Sequence, residues 1–314
     1  MITSKEKNFI SAVLYVHNVE EEIKKFLPAV YELLEREFDK FEIICVNDAS
    51  TDNSKNEIEK IAKRINTAVI SIVNMSTFQG IELSMNAGVD LAIGDFVYEF
   101  DSLVLDYDIN LVSEIYHKAL EGYDIVAAAP ETTSNSSSRL FYKVFNEYSF
   151  SKTTIQQEAF RVLSRRAINR VKSLNKTLVY RKAVYAACGL KSTAVVYKNA
   201  NKRRKLTREE KSNRMELATD SLILFTNTIQ KLSLYISMCF LGLTVAIGVY
   251  AWVSYFSAHK PVEGWTPLML FLSLGFFGVF LILTVTLQYL AVILRLVFKK
   301  RQYLIESIEK ITNN

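Results

Sequence analysis

The 314-residue chain is poor in the residues that break or staple structure: 4 Pro, 10 Gly and 3 Cys. That scarcity excludes a collagen-like repeat and a low-complexity tail. Cys45, Cys188 and Cys239 lie far apart and form no CxxC pair, which argues against a disulfide scaffold and for a reducing compartment. With only 3 His, the chain offers no soft-ligand metal centre. The GxGxxG and GKS/T signatures are missing, so the dinucleotide and P-loop readings lack their marks. The opening residues contain acidic Glu6 and no long apolar core, so no signal peptide is expected.

What is present is unevenly spread. The net charge of +5 is the remainder of three regimes. Residues 1–138 carry 11 Lys+Arg against 24 Asp+Glu, residues 139–231 carry 21 against 6, and residues 232–314 carry 6 against 3. Such a partition suggests different tasks along the chain.

The last part is the plainest. Leu232–Ala258 is a run of 27 uncharged residues and Gly264–Leu294 one of 31. A helix needs about 20 apolar residues to cross a bilayer, so each run is long enough. Trp252, Tyr255 and Trp265 sit where interfacial aromatics belong, and Gly242, Gly248, Gly275 and Gly278 suit close helix packing in lipid. Lys231 precedes the first run, and Arg295, Lys299, Lys300 and Arg301 end the second. The positive-inside bias therefore puts both outer flanks in the cytoplasm. This predicts a multi-pass protein of the cytoplasmic (inner) membrane with both termini inside.

The body before it reads as alternating strands and helices. Strands are expected at Phe9–Val16, Phe41–Val46, Ala68–Val73, Phe96–Phe100 and Ile125–Ala129, with helices at Glu20–Phe38, Ser54–Arg64, Gly80–Leu91 and Ile109–Leu120. Such alternation implies a mostly parallel sheet whose ligands bind beyond the carboxyl ends of the strands. The loops at 17–20, 47–53, 74–80 and 101–106 then form the site. Residues 131–139 are a polar, Ser-rich break. A helix near 140–149, a strand near 159–163 and helices near 165–173 and 176–188 follow, then a charged linker over 198–214 and a helix over 208–227. The expected domains are 1–197, a basic juxtamembrane segment 198–231, two spans within 232–297 and a tail 298–314.

Several residues carry chemistry. Asp48, at the end of the second strand, can accept from a base N–H or ribose hydroxyls, or belong to a plain capped loop; Ser50, Thr51 or Asp52 can cap the next helix. Gly80, Ser84, Gly88 and Ala92 recur on one helix face, and Gly80 could let a phosphate approach backbone amides. Asp101 ends a buried strand, where a carboxylate is costly unless paired or bound to a cation, so it is the candidate ligand for a Mg2+ or Mn2+ diphosphate complex. Arg139, Arg161 and Arg165 are candidates to hold an anionic acceptor, with Arg181 and Lys182 weaker; Lys202, Arg203, Arg204 and Lys205 suit anionic headgroups. A nucleic-acid partner has little beyond charge in its favour.

These residues resemble a family. Val46-Asn47-Asp48-Ala49-Ser50-Thr51-Asp52 resembles the VDDGSTD of family 2 glycosyltransferases with a GT-A (Rossmann-like) fold. The small-residue series ending in Gly94-Asp95 is similar to the segment preceding that family's DXD motif, and Phe160–Arg166 to the FRLxSR of its polyprenyl-phosphate branch, which includes dolichyl-phosphate mannose synthases and bactoprenol glucosyltransferases. Where the family has VPVYNE, this chain has Leu14–Val19 with Glu20 one place late; VDD has become Val46-Asn47-Asp48, and DXD has become Asp101-Ser102-Leu103.

The resemblance implies an inverting transferase that moves a sugar from a nucleoside-diphosphate donor to polyprenyl phosphate. Asn18, Glu20, Asp48, Ser50, Asp52, Gly80 and Asp101 would then hold the donor, with Asp101 also on the metal, and Arg139, Arg161 and Arg165 the acceptor phosphate. Two alternatives stand beside it. One is a hydroxyl acceptor on a lipid-linked glycan, with Glu158 as general base. The other is a non-catalytic nucleotide-sugar-fold module, favoured by Leu103. Paired hairpins could associate into a homo-oligomer, and surface polysaccharide is one destination for the product.

Overall fold

The computed structural model describes residues 5–65, 68–131, 136–148, 154–173, 180–198, 228–256, 264–297 and 303–311, with residues 212, 215, 217 and 218. The Lys202–Lys205 cluster and most of the charged linker lie outside the described residues. The chain divides into two compact units, one of residues 1–221 with 299–314 and one of residues 222–298.

The first unit runs β1 (Ile10–Val16), α1 (Glu20–Glu37), β2 (Phe41–Asn47), α2 (Ser54–Ala62), β3 (Val69–Met75), α3 (Ile81–Leu91), β4 (Phe96–Phe100), α4 (Leu111–Leu120) and β5 (Ile125–Pro130). It continues with α5 (Ser136–Tyr148), β6 (Phe160–Ser164), α6 (Arg165–Ser173), α7 (Arg181–Ala187) and β7 (Ser192–Tyr197). The second unit holds α8 (Thr228–Phe256) and α9 (Trp265–Val297), after which β8 (Ile305–Ile311) rejoins the first.

One sheet has the order β7-β5-β6-β4-β1-β2-β3-β8. The central strands β4, β1, β2 and β3 pair in parallel, so their carboxyl ends share one edge. Their near-continuous apolar runs follow from helices covering both faces, which leaves few positions for polar side chains. β6 enters between β4 and β5, antiparallel to both. β8 pairs antiparallel with β3.

Two features of this sheet were not expected: β7, and β8 in place of a free tail. Ile305, Ile308 and Ile311 recur every third residue among charges, so the segment does not show a strand's period of two.

The small-residue face of α3 lies against the sheet. A Cβ on Gly88 would stand 2.4 Å from Val13 Cγ1 and 2.6 Å from Val46 Cγ2. Ser84 and Gly88 are therefore packing positions.

Ala49 has φ +50°, a left-handed conformation that L side chains disfavour and the family's VDDGSTD fills with Gly. Ala49→Gly is expected to stabilise the folded chain by roughly 0.5–1 kcal/mol, relief of strain outweighing the added freedom of the unfolded chain. A higher urea midpoint at unchanged slope would show it, and a lower midpoint would refute it.

α8 and α9 contain segments Leu234–Ser254 and Pro267–Leu287, with mean hydropathies of 2.0 and 2.6, and each is long and apolar enough to cross a membrane. Phe240 and Phe280 stack across the pair with ring centroids 4.6 Å apart.

Candidate active site

The loops after β1 and β2 are stitched to each other. Asn18, itself at φ +50°, accepts from the Thr51 amide at 2.8 Å and the Thr51 hydroxyl at 3.2 Å through Oδ1, while its own amide donates to Ser50 Oγ at 3.2 Å. Asp52 Oδ2 accepts from the Glu20 amide at 3.1 Å, and Oδ1 from the Ser54 amide at 3.0 Å. Burial would push the Asp52 carboxyl up, but the hydrogen bonds from Ser54 and Glu20 together hold it below its usual range. Glu20 itself pairs with Lys24 at 3.0 Å on the first turn of α1. The structure thus brings Asn18, Glu20, Ser50 and Asp52 together, as the motif order anticipates.

Asp48 plays a different part from the expected contact with base or ribose. It is fully buried. Its Oδ1 accepts from the Gln79 amide at 2.8 Å, and its Oδ2 from the Gly80 amide at 2.8 Å and the Tyr15 hydroxyl at 2.9 Å. It fixes the loop that leads into α3, and the Gly80 amide is thereby engaged before any phosphate arrives. The side chain left beside open space at this strand end is Asn47.

At the end of β4 sits a buried ionic cluster. β6 places Arg161 directly opposite Glu99. Arg161 donates through Nη1 to Glu99 at 2.6 Å, through Nη2 to Asp101 at 2.8 Å and through Nε to Glu158 at 2.8 Å. Arg181 opens α7 and donates through Nη2 to Asp101 at 2.6 Å and through Nε to Glu82 at 3.0 Å. Tyr185, one turn on, donates to Glu99 Oε1 at 2.7 Å. Both guanidiniums are 1 % exposed and Glu99 is 0 % exposed, so each charge persists only because the others are there. Burial would raise the Asp101 carboxyl; Arg181 and Arg161 outweigh it and hold it well below the ordinary carboxylate range. With Lys182 at 3.9 Å from Glu158, three cations face the four carboxylates Glu82, Glu99, Asp101 and Glu158.

This geometry redistributes the expected roles. Arg161 is a core residue, saturated by carboxylates, and not an open phosphate ligand. Arg165 lies at the other end of β4, where Nε donates to the Gly94 carbonyl at 2.9 Å and Nη2 to that of Ala92 at 2.9 Å. Arg139 is exposed on α5. The three arginines do not converge. Glu158 is an ion-pair partner of Arg161, which is the alternative to a general base. Arg181, ranked as weaker, and Glu82, Glu99 and Tyr185, not singled out at all, are the centre of the cluster.

A two-carboxylate metal site does not fit these residues. Leu103 stands where the second carboxylate would be and is buried in the apolar core. Asp106 accepts from the Tyr197 hydroxyl at 3.0 Å, and Asp108 from the Asn110 amide at 2.9 Å. Among the described residues no group of three His, Cys, Asp or Glu could hold an ion.

A profile of glycosyl transferase family 2 matches residues 11–173, which spans β1 to the end of α6. The chain belongs to this family. A glycosyltransferase of Synechocystis sp., sll0501, is 27 % identical over 87 % of this chain and 89 % of its own length. The bactoprenol glucosyl transferase of Shigella phage SfV is 25 % identical over 86 % of this chain and 88 % of its own. Among solved structures, mannosyl-3-phosphoglycerate synthase from Rubrobacter xylanophilus superposes with a TM-score of 0.50 at 17 % identity, over 68 % of this chain and 74 % of that one. The sheet of this family 2 glycosyltransferase is of the GT-A, Rossmann-like kind, and the two apolar helices follow it.

Proposed function

We propose that this family 2 glycosyltransferase is anchored in the cytoplasmic membrane by α8 and α9 and transfers a sugar, with inversion, from a nucleoside-diphosphate sugar to polyprenyl phosphate. One observation carries the reading. The similarity to a bactoprenol glucosyl transferase extends over 275 residues, more than the sheet-bearing unit contains, so it runs through α8 and into α9. Segments on both sides of that pair belong to one compact unit. The pair therefore crosses an even number of times, and the basic flanks put the sheet on the cytoplasmic side.

In the reaction an oxygen of the lipid phosphate forms the bond to the anomeric carbon as the bond to the diphosphate breaks. A phosphate monoester, with a second pKa of about 6, is already largely dianionic at neutral pH and needs no general base. The pairing of Glu158 with Arg161 favours this acceptor over a hydroxyl. Asp101 is the donor-side carboxylate at the strand end, and Arg139 is the one expected acceptor ligand that stays open.

Membranes containing the chain, incubated with radiolabelled UDP- and GDP-sugars, are expected to yield labelled lipid that releases its sugar in mild acid. Acid-stable lipid label would refute the phosphate acceptor. Tight donor binding with no transfer to any lipid extract would select the non-catalytic reading, which the buried Leu103 favours.

A further inference from the structure

The segment that follows α9 does more than add an edge strand. The β3–β8 ladder shifts register between Asn74 and Met75 and ends there, short of the loop that leads into α3. Beyond it, loop and segment are joined at single residues. The Leu304 amide donates to Gln79 Oε1 at 2.8 Å, and Gln79 Nε2 donates back to the Leu304 carbonyl at 2.7 Å. The same carbonyl accepts from the Ser76 amide at 3.1 Å and the Ser76 hydroxyl at 3.3 Å. Towards the other end of α3, the Tyr303 hydroxyl donates to Asp90 Oδ2 at 2.8 Å, and Asp90 Oδ1 pairs with Lys172 at 2.8 Å.

Gln79 is thus held from two directions. Its side chain is engaged by the segment after α9, and its backbone amide by Asp48 Oδ1 at 2.8 Å. The next residue is Gly80, at φ +81°, whose amide is on the other oxygen of Asp48. Phe78, the residue before, lies against His17 with ring centroids 4.5 Å apart. His17 adjoins Asn18, which orders the Ser50–Thr51 loop. One short loop therefore touches the C-terminal segment on one side and both neighbouring site loops on the other. An edge strand kept only for stability needs its main-chain pairing with β3. It does not need both the oxygen and the nitrogen of the Gln79 side chain spent on one residue. A residue with two anchors moves with either, so a shift of Leu304 reaches Asp48 and Gly80 through one side chain.

Resting on the nucleoside-diphosphate-sugar reading above, we propose that donor binding and the seating of the segment after α9 are coupled, with Gln79 as the positioning residue between them. Chain order gives the coupling a direction. Tyr303 and Leu304 lie beyond both apolar helices, so residues 76–80 receive these contacts only after the chain has passed through α8 and α9. The donor site is complete only in a chain whose apolar pair is already made. The coupling is reciprocal: whatever affinity the seated segment adds to the donor, the donor adds to the seating of the segment.

Calorimetry and amide hydrogen exchange on the full chain in lipid nanodiscs test this, with UDP and GDP as probes, each with Mn2+. In the wild type, saturating nucleotide is expected to slow exchange across residues 304–311 at least about 5-fold, the low end of ordinary coupling energies. Gln79→Ala leaves the backbone amide on Asp48. It is expected to weaken the nucleotide roughly 10-fold, as for loss of one or two neutral hydrogen bonds, and to abolish that slowing. Tyr303→Phe, outside the loop, is expected to weaken binding several-fold in the same direction. Lys310→Ala, exposed on β8, leaves both readouts unchanged. A strand with a purely structural role gives a different pattern: the nucleotide binds the wild type without changing exchange at 304–311, or the folded Gln79 and Tyr303 variants bind it as tightly as the wild type. Either result overturns the coupling and leaves the donor reading intact. Failure of both nucleotides to bind the wild type overturns both. Should Gln79→Ala not fold, exchange in the wild type decides alone.

Discussion

Arg161→Met is expected to lower the unfolding free energy at pH 7 by about 3–5 kcal/mol, a large share of the roughly 5–15 kcal/mol that holds a domain folded. Methionine fills much of the space but returns none of the charge. Glu99, 0 % exposed, keeps only the Tyr185 hydroxyl and a 3.1 Å approach of Arg181. Asp101 keeps Arg181 at 2.6 Å, and Glu158 keeps Lys182 at 3.9 Å.

The pH dependence separates this account from simple loss of packing. In the native chain the Asp101 carboxyl is held low, burial notwithstanding, by Arg181 and Arg161. Its contribution to stability is complete above the unfolded value near 4 and is lost as pH falls through the lower folded value. In Arg161→Met the Asp101 carboxyl loses one of the two guanidiniums that offset its burial, so its folded value rises and protonation relieves part of the penalty. The difference between variant and wild type should therefore shrink from pH 7 towards pH 4, read as converging urea midpoints. A difference that stays constant with pH would mean that packing, not charge, is what the substitution removed.

That cluster shows what the residues alone reveal and where they stop. A carboxylate at the end of a buried strand demands a cation, and Asp101 has two, Arg161 and Arg181. The identity of the cation was not legible, because Arg161 and Arg181 are 60 and 80 residues away in the chain. Charge within an otherwise buried run was the available signal: Glu99 in Phe96–Phe100 and Arg161 in Phe160–Ser164 each interrupt apolar strands that the sheet aligns.

The same cross-pairing alters the meaning of the charge partition. Arg161, Arg166, Lys172 and Arg181, all from the basic stretch, neutralise Glu99, Asp101, Asp124, Asp90 and Glu82 of the acidic one. The two regimes are thus in part complementary within one folded unit, and these four cations are not available to an anionic membrane or acceptor. β1 to β5 were legible because each is a long apolar run between clear helices. β8 was not, since its place in the sheet depends on β3 and on nothing within Ile305–Ile311.

Mn2+ alone is expected not to bind this chain measurably at sub-millimolar concentration, whereas Mn2+ with a bound nucleoside diphosphate should bind roughly 100-fold or more tightly than that, at the upper end of ordinary coupling energies. The protein offers one carboxylate where a hard divalent cation wants several oxygens, because Leu103 is buried in the core and the two oxygens of Asp101 already face Arg161 and Arg181. The cluster around Asp101 cannot substitute for a cation either. Its four carboxylates exceed its three positive side chains, so an incoming diphosphate meets a formal excess of negative charge. Diphosphate oxygens can supply the ligands the chain lacks, and the cation can cancel the charge that the cluster cannot. Linkage makes the claim checkable from both sides: whatever factor the nucleotide adds to Mn2+ affinity, Mn2+ must add to nucleotide affinity. Titrations of each against the other, followed by manganese paramagnetic resonance and calorimetry, should give one common factor. A common factor near unity would show that diphosphate binding here needs no cation. Tight Mn2+ binding without nucleotide would instead show that the chain holds the ion by itself, and that Asp101 with its two guanidiniums is a better ligand than its donor count allows.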